Sequence, residues 1–152
     1  MNRKRVLLNA VWLVLALALI VRIWAAWAYR ADLHHDRGRA ALMAMHMAEG
    51  VDYTAFAYGA PHLGSLEPAL AALVIRLFGY HEFGLNLTTA LLAFLALPVI
   101  YAWTRETGGR TAALAALLYL AFGPWLFLAF SILPRGGYAL MLLLFTALLW
   151  VA

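Results

Sequence analysis

From Val6 to Ala28 the chain runs for 23 residues with only Asn9 and Arg22 interrupting its apolar side chains. A helix rises about 1.5 Å per residue, so this stretch can cross the ~30 Å hydrocarbon core of a bilayer. Inside lipid every backbone polar group must find its partner within the protein, which leaves the helix as the way a single segment spans. Composition agrees with that reading. Apolar residues make up 66% of the 152, against roughly 45–50% in a soluble domain, and only 12% are charged while 14% are aromatic. Disordered and collagen-like chains are excluded by the same figures, and the absence of cysteine removes disulfides, thiolate chemistry and Cys-bound zinc.

The net charge of +4 owes much to Arg3, Lys4 and Arg5 at the N-terminus; the remainder is nearly balanced. Basic residues flanking a first span hold that end in the cytoplasm. No basic stripe interleaved with aromatics is present, so no nucleic-acid partner is expected. Ala26-Trp27-Ala28 loosely resembles a signal-peptide cleavage site, but the apolar stretch is too long and further apolar segments follow.

Residues 29–84 hold most of the charges and all five histidines, together with the turn-formers Gly59, Pro61, Gly64 and Gly79. They read as a long extracytoplasmic loop. Within it Arg37 to Glu49 is expected to form a short helix, with Asp36 as N-cap and Gly50 as stop. Leu66 to Phe78 is expected to form a second, too short and too charged at its ends to span, lying at the interface. Further spans are expected at 85–103, at 111–130 with a break near Gly123-Pro124, and at 138–152. The two arginines of the 104–110 loop place that loop in the cytoplasm. The expected architecture is all-α: a polytopic helical membrane protein of about four transmembrane helices with short juxtamembrane helices. It forms one transmembrane domain, multi-pass in the cytoplasmic (inner) membrane. The last span is only about 15 residues, which points to the N-terminal portion of a longer protein or a fragment with a short last helix.

Charges gathered at one membrane face mark a candidate site. Asp36 in His34-His35-Asp36-Arg37 leads, because a carboxylate there can take a proton from an attacking hydroxyl or amine, or hold a divalent cation; equally, Asp is among the best N-cap residues. His34 and His35 are adjacent, so their rings are expected to point apart rather than complete a ligand set. Glu67 is either a second carboxylate or a first-turn acid favoured by the helix dipole, ahead of a tolerated Pro68. Arg135, beside Gly136 and Gly137, can fork onto a phosphate or serve as an interfacial turn residue, with Tyr138 as anchor. Arg30, Arg37 and Arg39 add positive potential suited to an anionic head group. Arg22 is expected to snorkel to the outer interface.

The order of these segments resembles the start of the GT-C membrane glycosyltransferases. It is carried by Asp36-x-x-Arg39-(x)10-Gly50, then Gly-x-Pro-x-x-Gly-Ser-Leu-Glu ending at Glu67, then Leu77-Phe78-Gly79 and Arg135-Gly136-Gly137-Tyr138. The closer branch is that of bacterial relatives of protein O-mannosyltransferases and of the lipid A aminoarabinose transferase. The resemblance implies that Asp36 is the essential acid that activates the acceptor or binds a metal, Mg or Mn. It implies that the two short helices shape a pocket for a polyprenyl-phosphate sugar, for which Arg37, Arg39, Glu67, Arg135 and Tyr138 are the expected substrate-binding residues. The reaction implied is sugar transfer from that donor to a protein, lipid or glycan acceptor on the outer face. Where the aminoarabinose branch has Lys-Pro-Pro, this chain has Gly64 to Pro68. A different class of reading is a non-catalytic accessory or assembly subunit with the same fold start. A transporter is disfavoured because the charges lie in the loop rather than at the bilayer midplane.

Overall fold

The computed structural model describes residues 3–31 and 34–152. Asp32 and Leu33 of the expected loop, and the side chains of Arg3 and Lys4 from the basic N-terminal cluster, lie outside the described residues. Among the described residues the structure is mostly helical, 77%, in six helices. Two of the helices are long and apolar enough to cross a membrane, α1 from Arg5 to Ala28 and the α4 helix described below.

Helix α1 spans Arg3–Ala28. Its Leu and Ala residues are strong helix formers, and Trp12, Leu13, Leu17, Ile20 and Trp24 lie exposed along its outer side. The opposite side buries Val11, Leu15 and Ala18. Asn86 donates through Nδ2 to the carbonyls of Ala26 at 3.1 Å and Tyr29 at 3.2 Å. Both oxygens sit at the C-terminal end of α1, where helical partners run out.

Helix α2, His35–Glu49, begins one residue earlier than its cap was expected. The cap is His34, whose Nδ1 accepts the Asp36 N–H at 3.3 Å. Asp36 is thus inside the first turn, where a carboxylate favours the positive helix end, rather than capping it. At the other end Gly50 stops the helix as expected. Its φ of 75° is open to glycine, and the Val51 N–H reaches back to the His46 carbonyl at 2.9 Å in a Schellman-type closure.

The all-α expectation is corrected by a small antiparallel hairpin, β1 (Phe56–Ala57) and β2 (Ala60–Gly64), with Ala57 opposite Ala60. The turn is Tyr58-Gly59, with Gly59 at φ 65°, and strands of two and five residues leave no alternating pattern long enough to read. Helix α3 occupies Leu66–Phe78 as expected. Small residues let it sit close to its neighbours: Ala71 packs with Ala41, Ala44 and Leu85, and Ala72 with Met43 and Met47.

The expected 104–110 loop is a second correction. Helix α4 runs Glu82–Phe122, interrupted only at Gly109, with φ 81° and ψ 179°. Leu97 and Ala121 would stand about 36 Å apart on a straight helix, yet both join one cluster with Val11, Leu15 and Leu117. The two arms of α4 therefore fold back on each other at a single glycine. Thr104 to Gly108 stay helical, and Thr107 Oγ1 donates to the Trp103 carbonyl at 3.0 Å. Beyond the Gly123-Pro124 break come α5, Trp125–Phe130, a turn through Gly137, and α6, Tyr138–Val151. Ala139 of α6 packs on Leu92 and Ala93 of the first arm, and Trp150 Nε1 donates to Glu106 at 3.1 Å, so α6 runs parallel to that arm.

Candidate functional site

The start of α2, the start of α3 and the 134–137 turn converge at one end of the long helices. Asp36, about a quarter exposed, sits between three partners. The Arg39 guanidinium, one turn along α2, bonds its Oδ1. His35 Nε2 stands 3.2 Å from Oδ1 and His34 Nδ1 3.5 Å from Oδ2. The two imidazoles do not point apart: their ring centroids are 4.5 Å from each other at 31°, because His34 turns back to cap the helix. Their nitrogens and the Asp36 carboxylate lie within 4.8 Å of one another.

Among the described residues that trio is the group able to hold a metal ion, and its chemistry suits Mg2+ or Mn2+ poorly. Hard cations take oxygen shells, whereas imidazole suits zinc-like metals. Only one carboxylate is present in the trio, Arg39 already engages it, and the positive end of α2 opposes a cation.

Glu67, in the first turn of α3, is 3% exposed. Its Oε1 accepts from Thr89 Oγ1 of α4 at 2.6 Å. Its Oε2 is buried without a hydrogen-bond partner and faces the Gly137 backbone. Burial pushes this carboxyl above its ordinary range, against the smaller opposing pull of the Thr89 hydroxyl and the nearby Gly137 amide. A small cavity has Asp36 and Arg39 on one side and Glu67, Gly136 and Gly137 on the other. Gly136 comes so close to Leu63 that a Cβ there would meet it at 3.0 Å.

The other expected site residues lie around this cavity. Arg135 is carried on the same turn, its guanidinium 5.9 Å from the Phe130 ring centroid. Tyr138 stands edge-on to Phe130 at 5.1 Å and helps line a separate apolar cavity of about 480 Å³ with Ala93, Phe127, Phe130 and Leu142. Arg37 points away from Asp36. It is 3% exposed and donates to the Arg30 carbonyl at 2.7 Å and the Glu82 carboxylate at 2.5 Å, tying α2 to the end of α1 and the start of α4. Tyr80 donates to the same carboxylate at 2.6 Å; burial and that bond push its phenol up to about 12.

The structure thus brings Asp36, Arg39, Glu67 and the turn bearing Arg135 together, sets Tyr138 in the adjoining apolar cavity, and leaves Arg37 in an interhelical tie. Sequence reasoning missed Thr89, which sits in an apolar run with no motif around it, and Glu82 as the partner of Arg37. The charge of Glu82 at a helix start was the available signal for the latter. Compared with known proteins, the chain matches no family model, no curated protein and no solved structure.

Proposed function

We propose that this chain forms the N-terminal part of a GT-C-type membrane glycosyltransferase, moving a sugar from a polyprenyl-phosphate donor to an acceptor on the extracytoplasmic face. The observation that carries the reading is the meeting of Asp36, Arg39 and Glu67 with the Gly136-Gly137 turn in one cavity, beside an apolar cavity bordered by Tyr138. Segments a hundred residues apart supply one polar site next to one apolar one, as a lipid-linked sugar requires. The acceptor hydroxyl attacks the anomeric carbon, Asp36 takes its proton, and the carbon–phosphate oxygen bond breaks with inversion. Arg39 and Arg135 supply positive charge for the departing phosphate. No step is assigned to a metal.

The same reading takes the chain as four spans in the inner membrane, and the directions of the helices support it. With α1, the two arms of α4, and α6 as spans, directions alternate. Arg5, Arg105 and Arg110 then share one side, the cytoplasmic side by the positive-inside rule, and residues 29–84 with the 131–137 turn share the other. Asp36→Asn in native membranes is expected to lower sugar transfer by at least two orders of magnitude while insertion is unchanged. Transfer at the wild-type rate in that variant would overturn the role of Asp36.

A further inference from the structure

We propose that Glu67 is the acid partner of Asp36: a neutral carboxylic acid that lines the shared cavity and gives its Oε2 proton to the phosphate oxygen leaving the sugar. The inference rests on the reading of function above and adds a second reacting group to it. Two carboxyls border one cavity in opposite surroundings. Asp36 reaches solvent among Arg39 and two imidazoles. Glu67 is 97% buried between Pro68, the Thr89 hydroxyl and the Gly137 backbone, and among the described residues no cation pairs with it.

An ionised carboxylate at that depth without a cation is costly, so the neutral form is favoured. Because Oε1 already accepts from Thr89, the proton belongs on Oε2, the oxygen with no partner inside the protein. Such a group wants an acceptor, and the cavity that the Glu67 side chain helps line is where one can approach it. Environments that set two acids apart assign base and acid roles. The titratable or charged groups facing Glu67 are Asp36 and Arg39 from α2 across the cavity; α4 offers the Thr89 hydroxyl, and the 134–137 turn offers Gly137, with Arg135 beside it over Phe130.

The step balances. The acceptor oxygen bonds the anomeric carbon and yields its proton to Asp36, while the bond to phosphate breaks and its oxygen takes the proton of Glu67. Return of a proton from Asp36 to Glu67 through solvent resets the pair.

Two measurements test it. The first needs no turnover: with the protein in phosphatidylcholine vesicles, the infrared spectrum at neutral pH should contain a protonated carboxyl C=O band that Glu67→Gln removes. Its absence would overturn the proposal. The second is transfer activity in native membranes. Glu67→Gln keeps the shape and the Thr89 bond but has no proton to give, so kcat should fall by on the order of 100-fold with the donor KM held, and the alkaline fall of the rate should vanish. If Glu67→Gln matches wild type at every pH while Asp36→Asn is inactive, Glu67 is not the acid and the transferase reading stands. If Asp36→Asn still transfers, Asp36 is not the base and the pairing falls with it; if wild type transfers nothing from a polyprenyl-phosphate sugar, the transferase reading itself fails.

Discussion

A carboxyl whose burial favours its neutral form makes folding depend on pH, and Glu67 sets a measurable slope of that kind. Burial raises the Glu67 carboxyl above its ordinary range. Between the ordinary value and the raised one, the folded chain holds a proton that the unfolded chain has released, so stability falls as pH rises through that window. The full contribution is present below the window, and the loss is about 1.4 kcal/mol per pH unit while it lasts. Denaturant unfolding in micelles at stepped pH should therefore show wild type weakening across the window and Glu67→Gln losing that component; identical slopes would refute the raised value. Glu67 itself was legible as a candidate because an acid ahead of Pro68 at a helix start stands out among apolar residues. Its burial was not, since that depends on Thr89 in α4 and the glycine turn before α6, far away along the chain.

Helix boundaries were legible where the chain breaks its own hydrogen bonding, and illegible where it does not. Gly50 and the 66–78 helix follow from local signals, whereas Thr104 to Gly108 look like a polar loop and remain helical because only Gly109 needs a conformation closed to other residues. Arg22 shows a further limit of local reasoning. Rather than snorkelling to the interface, it is 1% exposed and donates to the carbonyls of Leu120 at 2.9 Å, Ala121 at 3.2 Å and Ala18 at 3.4 Å. Helix α4 ends at Phe122, and Pro124 has no N–H to offer the Leu120 carbonyl four residues back, so the helix end exposes oxygens inside an apolar bundle. The guanidinium of α1 supplies the missing donors. Arg22→Met keeps the apolar stem and removes the donors, and should cost about 1–3 kcal/mol, the penalty for buried carbonyls left unsatisfied. Micellar unfolding measures it, and an unchanged midpoint would show that the break needs no cap.

At the scale of the whole molecule, the hairpin of α4 at Gly109 decides which residues share an end of the helix bundle. Because α1 and the first arm of α4 pack in opposite directions, and the second arm returns to Arg22, the 29–84 segment and the 131–137 turn meet at one end. The bases Arg105 and Arg110 gather at the other, with Arg5. Helix α1 covers about 39 Å, enough for the ~30 Å hydrocarbon core, while α6 covers about 21 Å and packs beside the first arm of α4. The chain has no cysteine, so a single introduced thiol reports its own side without background. His62 on β2 and Thr107 near the α4 reversal are both exposed and lie at opposite ends of the arrangement. In intact cells a membrane-impermeant maleimide should label His62→Cys at once and Thr107→Cys only after permeabilisation. The reverse pattern would place Asp36 and Glu67 in the cytoplasm, beyond an extracytoplasmic acceptor. Labelling of both without permeabilisation would mean that the two arms of α4 do not cross the bilayer as a pair, and the site would then have to work at a membrane surface.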